Sequence, residues 1–61
     1  MDPLLTTAEA AALLRMREGT LREHTRRELV PCIRLGRLIR YDAADLADWL
    51  KSIKIPARPP A

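Results

Sequence analysis

The chain has few of the side chains from which catalytic and metal sites are built. It contains one cysteine, Cys32, and one histidine, His24, among 61 residues. A lone cysteine excludes an internal disulfide, and these two side chains are too few for a cysteine-based zinc site. Glycine-rich phosphate loops are absent as well. We therefore expect no enzyme, no metal and no cofactor, with His24 and Cys32 as ordinary, partly packed side chains in a reducing setting.

Long hydrophobic segments are also missing. No apolar run approaches the roughly 20 residues of a membrane-spanning helix. The first residues, Met1-Asp2-Pro3, lack the basic and apolar parts of a secretory signal. We expect a cytoplasmic protein that makes no membrane contact, with room for one small domain.

The charge of the chain is concentrated in its middle. Residues 15–40 carry eight arginines and three glutamates, or +5, whereas residues 42–48 carry three aspartates, or −3. Nine of the eleven cations are arginine, whose planar guanidinium suits phosphates and base edges. The pattern predicts a basic and an acidic side, and it favours nucleic acid as the partner. A solvated helix face would carry similar charges, so charge alone does not decide between the two. The three aspartates are expected to cap and solvate a helix and not to bind metal.

Two helices are predicted in the first half of the chain. Thr6 and Glu9 have the spacing of a capping box at the start of the first helix, which the following alanines and leucines continue. The second is predicted from about Glu18 to Arg27, with Leu21 and Thr25 facing inward. Met16, between the two helices, is expected to turn into the core.

Asp42 is expected to open a third helix. Its apolar side chains recur at helical spacing, and Trp49 is expected to close the core instead of stacking on a base. We place the folded domain at residues 1–54 and a flexible, proline-rich tail at residues 55–61. The predicted stripe of the third helix consists of Leu46, Trp49, Leu50 and Ile53.

A small hairpin is predicted between the second and third helices. Apolar and arginine residues alternate on both sides of Gly36-Arg37, where glycine suits a type II′ turn between strands near 32–35 and 38–41. We expect Leu29 and Val30 to enter the core just before it. Within the hairpin, the core side is assigned to Ile33, Leu35, Ile39 and Tyr41, the outer side to Arg34, Leu38 and Arg40, and the tip to Arg37.

Two short helices with a short turn, followed by a hairpin and a further helix, predict a small α+β fold, a winged helix-turn-helix. In such proteins the second helix enters the major groove of double-stranded DNA. The wing arginines are placed to reach the backbone or the minor groove. Candidate DNA contacts are Arg17 in the turn, Thr20, Arg22, Glu23, Arg26 and Arg27 on the helix, and Arg34, Arg37 and Arg40 on the wing.

Two positions of the second helix allow two interpretations each. Glu23 could accept a hydrogen bond from a cytosine amino group, or it could pair with Arg26 or Arg27. Gly19 could be kept because another molecule approaches the backbone there, or it could be an inexpensive first-turn glycine.

The order and spacing of several motifs resemble the excisionase-like, MerR-related winged helix-turn-helix family. The resemblance covers about residues 4–50, and it departs from the family pattern in three places. Arg15 stands where a helix-ending glycine is common, Arg17 where a serine cap is usual, and His24 and Thr25 replace two apolar residues. The matching motifs are Leu5-Thr6-x-x-Glu9-Ala10-Ala11-x-Leu13-Leu14, Thr20-Leu21, Leu29-Val30-Pro31, Ile33-Arg34-Leu35-Gly36-Arg37 and Asp45-Leu46-x-x-Trp49-Leu50.

The resemblance implies a protein that binds and bends DNA, cooperatively with further copies, and that turns a partner integrase of a phage or mobile element toward excision. The short chain, taken as a whole protein, fits this expectation. A compact transcriptional regulator with the same DNA contacts is the alternative. A protein-interaction module that uses the acidic third helix and the tail is a third hypothesis.

Overall fold

A computed structural model describes residues 4–57 as three helices and a two-stranded antiparallel hairpin. Helix α1 spans Thr7–Leu14 and helix α2 Glu18–Arg26; strands β1 and β2 span Ile33–Leu35 and Leu38–Arg40; helix α3 spans Ala43–Ile53. The order confirms the predicted α+β fold, a helix-turn-helix followed by a wing and a C-terminal helix. Residues 58–61 of the predicted tail lie outside the described part.

Helix α1 begins at the predicted capping box. The Thr6 Oγ1 accepts from the Glu9 amide at 3.1 Å, and the Glu9 carboxylate accepts from the Thr6 amide at 3.0 Å. The pKa of Glu9 lies below its ordinary value, mainly because the Thr6 backbone amide donates to its carboxylate; the Thr6 side chain and, to a smaller extent, the charge of Arg40 also lower it. Helix α3 is likewise capped as predicted, because Asp42 accepts from the amides of Ala44 and Asp45.

Both helices of the helix-turn-helix end in a left-handed residue that is not glycine. Arg15 has φ 54° and Glu28 has φ 59°. After Arg15, the Met16 amide donates to the Ala11 carbonyl at 3.0 Å, while the Arg15 amide donates to that of Ala12. This is the Schellman arrangement, in which glycine is the usual residue. Arg15 therefore differs from the family pattern in residue type, but its backbone has the left-handed conformation that glycine adopts most readily.

The core is small and combines all parts of the chain. Its buried apolar residues come from the three helices, from the segment before β1 and from the position that follows β2. Leu5, before α1, pairs with Tyr41 through two backbone hydrogen bonds of 2.7 and 2.9 Å, which tie the N-terminal segment to the wing. Partly buried Met16 and Trp49 pack against this core as predicted. The buried apolar residues are Ala10, Ala11, Leu21, Val30, Tyr41 and Leu46.

The predicted division of the hairpin into a core side and an outer side is wrong in part. Leu35 pairs with Leu38, and Arg34 with Ile39. Directly paired residues of antiparallel strands share a face, so an odd-numbered residue of β1 lies beside an even-numbered residue of β2. The prediction assumed that odd-numbered residues face the same side in both strands, whereas a two-residue turn reverses this relation between β1 and β2. Leu35 is consequently on the outer face with Leu38, and both are about half exposed.

Ile33 shares the outer face with Arg40, its partner in the register. Ile39 and Tyr41 do lie on the core side, as predicted, and Tyr41 is fully buried. The turn itself fits type II′, since Gly36 has φ +63° and Arg37 is not among the residues with positive φ.

Two other core assignments are corrected by the structure. Leu29 is 53% exposed, whereas its neighbour Val30 is buried. Leu29 follows the left-handed turn at Glu28, which directs the chain away from α2 before it enters the core. On α3, Leu46 is buried and Trp49 is partly buried, but the other two residues of the predicted stripe, Leu50 and Ile53, are exposed. None of the helices within residues 4–57 is long and apolar enough to cross a membrane.

Candidate nucleic-acid interface

Helix α2 presents one polar face to solvent. Its inward residues are Leu21 and Thr25, at 0% and 5% exposure. At 3.6 residues per turn, Glu23, midway between them along the chain, lies on the opposite side of the helix. The predicted DNA contacts surround Glu23 on this face; Thr20, Arg22, Arg26 and Arg27 are exposed and Glu23 is intermediate.

All three arginines of this face form ion pairs with glutamates of the same helix. Arg22 pairs with Glu18 at 2.8 Å. Arg26 forms two bonds with Glu23, from Nη2 at 2.7 Å and from Nε at 3.1 Å, and Arg27 Nε reaches the same carboxylate at 3.2 Å. The ion-pair interpretation of Glu23 is thus the one present in the protein without DNA. Each of these side chains is more than 40% exposed, so the pairs orient the arginines more than they stabilise the fold.

The start of α2 is open. Arg17 is its N-cap residue, but no side chain accepts from the first-turn amides, in agreement with the missing serine noted above. An additional Cβ on Gly19 would meet no atom within 4 Å. No contact inside the described residues therefore requires glycine at this position, and both interpretations of Gly19 remain.

A pair of buried hydroxyl groups joins α2 to the wing. The Thr25 hydroxyl lies 2.8 Å from the Leu21 carbonyl and 2.6 Å from the Tyr41 hydroxyl. Because the carbonyl can only accept and threonine has one hydroxyl proton, Thr25 donates to Leu21 and Tyr41 donates to Thr25. The predicted inward position of Thr25 is confirmed, and its polarity is satisfied. This connection, which helical spacing and charge did not predict, holds the residue after β2 against the helix that carries the candidate contacts.

The wing arginines do not share one face. Arg34 lies on the side of Ile39, Arg40 lies on the opposite side, and Arg37 follows Gly36 in the turn. Their common outward orientation was therefore predicted wrongly, for the reason of parity given above. Arg34 and Arg37 are exposed, and within residues 4–57 neither has an acidic partner at ion-pair distance. Arg40 is half-buried and its Nη1 donates to the Ile39 carbonyl at 2.8 Å.

The single histidine and the single cysteine of the chain lie apart from this face of α2 or beneath it. His24 and Cys32 are partly buried. Among residues 4–57, no three His, Cys, Asp or Glu side chains are grouped so that they could hold a metal ion. The same part of the chain has no pocket for a small molecule.

The fold and this face together define a helix-turn-helix domain with a wing. In agreement, the family model described as "Helix-turn-helix domain" matches residues 4–54, and the chain belongs to that family. Membership indicates DNA binding, and such domains are typically not enzymes. No curated protein and no solved structure gives a significant match.

Proposed function

We propose that the protein is an excisionase, a recombination directionality factor that binds and bends double-stranded DNA and promotes integrase-mediated excision of a phage or mobile element. The observation that carries the DNA-binding part is the 2.6 Å hydrogen bond between the buried hydroxyl groups of Thr25 and Tyr41. It sets an arginine-bearing helix and an arginine-tipped hairpin in one fixed arrangement. The excisionase part is supported by the resemblance of the motifs between residues 4 and 50.

In the proposed complex, α2 lies in the major groove. Thr20, Arg22 and Arg26 face the bases and phosphates, and Arg17 and Arg27 flank them along the backbone. Arg37 enters the minor groove or grips its phosphates, with Arg34 beside it. Arg40 belongs to the candidate set, but its partial burial and its bond to Ile39 make it the weakest candidate on the wing.

The outer face of the wing supports the proposed self-association along DNA. Leu35 and Leu38 are directly paired and are 50% and 54% exposed. A second copy bound at an adjacent site could cover this apolar pair. If so, replacing both leucines with serine should weaken binding to arrayed sites and leave binding to a single site unchanged. An equal loss on both DNA molecules would place the leucines outside any contact between copies.

The decisive experiment is reconstituted recombination with the cognate integrase and its attachment sites. Adding the protein should lower integration and raise excision, while an Arg22→Ala/Arg26→Ala variant should do neither. Unchanged integration-to-excision ratios, with the protein bound to DNA, would reject the excisionase and retain the DNA-binding domain.

The alternative function is a small transcriptional regulator with the same DNA contacts. Footprinting across the source genome's integrase region separates the two. Arrayed sites beside an attachment core favour the excisionase; a site over a promoter, with altered transcript levels, favours the regulator. If no salt-dependent DNA binding is found, the exposed Leu50, Ile53 and Ile55 at the end of α3 become the surface to test for a protein partner.

A further inference from the structure

The residue at the centre of the proposed DNA-facing surface is an acid. Glu23 lies opposite the buried Leu21 and Thr25 and is surrounded by the arginines of α2. A carboxylate that faces phosphates is repelled by them, so it weakens DNA binding unless it performs another task at the interface.

The contacts of Glu23 indicate that task. Its Oε1 accepts from Nη2 of Arg26 at 2.7 Å and its Oε2 accepts from Nε of Arg26 at 3.1 Å. Two parallel bonds of this kind fix the plane of a guanidinium as well as its position. Oε1 also lies 3.2 Å from Nε of Arg27. Both carboxylate oxygens are therefore engaged by arginine before DNA arrives.

Within residues 4–57, Glu23 is the only hydrogen-bond partner of the Arg26 guanidinium. Glu23 uses the side of the guanidinium formed by Nε and Nη2, and the five N–H donors of arginine leave the end formed by Nη1 and Nη2 available. The Arg26 side chain is 74% exposed. An arginine end of this kind donates in parallel to O6 and N7 of guanine in the major groove.

We propose that Glu23 is a positioning residue that holds Arg26 so that the free edge of its guanidinium recognises one guanine. The proposal rests on the DNA binding proposed above and adds the base and the roles of two residues. Glu23 itself makes no base contact. The fixed arginine enters the complex with less loss of side-chain freedom than an unrestrained one. Arg27, which contacts only one oxygen, is left to bind phosphate.

The test is a binding-preference measurement over a library of DNA sites with randomised positions. The proteins are the wild type, Glu23→Ala, Arg26→Ala and the double variant. Arg26→Ala should abolish a guanine preference at one position, a loss of about 5-fold to 150-fold in discrimination. Glu23→Ala should reduce the preference at that same position by about 2-fold to 10-fold, the cost of ordering one free side chain. The double variant should match Arg26→Ala.

Glu18→Ala is the matched control, because it removes the same charge from the same helix. Glu18 holds Arg22 through one bond. Both single glutamate variants should bind non-specific DNA more tightly, since each removes one repulsive charge. Only Glu23→Ala should lose guanine preference at the position read by Arg26. Unfolding curves for all variants control for the fold.

Two results would overturn the inference. If Glu23→Ala and Arg26→Ala lose preference at different positions, and the Glu23 position is a cytosine, Glu23 contacts its own base. If Glu23→Ala keeps every preference of the wild type, the ion pair has no role in recognition. In both cases DNA binding stands; only the absence of binding by the wild type would reject the proposed function itself.

Discussion

At the scale of single residues, Thr25 and Tyr41 connect the two candidate DNA-binding elements. A threonine in place of an apolar core residue suggests a loosened core. Instead, Thr25 donates to the Leu21 carbonyl and accepts from Tyr41, and no described buried side-chain polar atom lacks a hydrogen-bond partner. The polarity of this position joins α2 to the residue that follows β2.

The direction of these bonds predicts unequal costs. Tyr41→Phe removes one bond and leaves Thr25 paired with Leu21, so it should destabilise by about 1 kcal/mol. Thr25→Val removes both bonds and leaves the buried Tyr41 hydroxyl without its partner, at about 1–3 kcal/mol. The double variant should be more stable than Thr25→Val alone, as measured by urea unfolding. Strictly additive losses would contradict a stabilising hydrogen bond between the two hydroxyl groups.

Arg15 offers a second test at this scale. Because it holds φ 54°, a conformation that costs residues with a Cβ about 1–2 kcal/mol, Arg15→Gly should raise the free energy of unfolding by up to about 1 kcal/mol. Arg15→Ala retains the Cβ and serves as the control, with no comparable gain expected. Equal effects of glycine and alanine in thermal unfolding would assign the change to loss of the arginine charge.

At the scale of the elements, the sequence predicted the helix starts well and the surroundings of the strands less well. Thr6 and Asp42 mark helix starts through local hydrogen bonds, which depend on few neighbours. The faces of the wing depend on the register across its turn, where one parity step moves Leu35 to the opposite side.

The remaining errors of the prediction concern residues whose burial depends on tertiary packing. Leu50 and Ile53 follow a clear helical stripe, but no described element covers the end of α3, and Leu29 is directed outward by a left-handed turn. The candidate DNA contacts could be listed from helical spacing and charge. The Thr25–Tyr41 hydrogen bond could not be predicted in this way, because the two residues are 16 positions apart in the sequence and belong to different parts of the fold.

The capping box of α1 should make stability depend on pH. The pKa of Glu9 is lowered in the folded protein, mainly by the Thr6 amide. A group of this kind stabilises the fold above its unfolded pKa, and that contribution is lost as the pH falls through its folded pKa. Glu9→Gln can accept the same bond without titrating. The stability advantage of the wild type over Glu9→Gln should therefore shrink on acidification, in chemical unfolding at stepped pH. Parallel stability curves would contradict this.

At the scale of the whole molecule, a minimal core supports a charged, divided surface. Among residues 4–57, six apolar residues are buried and seven large ones are exposed, as expected of a small domain that buries a limited part of its surface. Eight arginines lie on the turn, α2 and the wing, whereas Asp42, Asp45 and Asp48 lie at and along α3. DNA should therefore contact one side of the molecule. The effect of a cation on DNA binding should depend on its position more than on its contribution to the net charge.

This distinction can be measured with two variants that each remove one positive charge. Arg37→Ala, at the wing turn, should weaken binding to all sequences and lower the slope of log affinity against log salt by about one unit, because one phosphate contact is lost. Lys51→Ala, in the last turn of α3, changes the net charge equally and should leave that slope unaltered. Both residues are exposed, so neither change should disturb the core. Equal slopes for the two variants and the wild type would remove the wing tip from the interface; equal reductions in both would mean that net charge, and not a wing contact, controls binding.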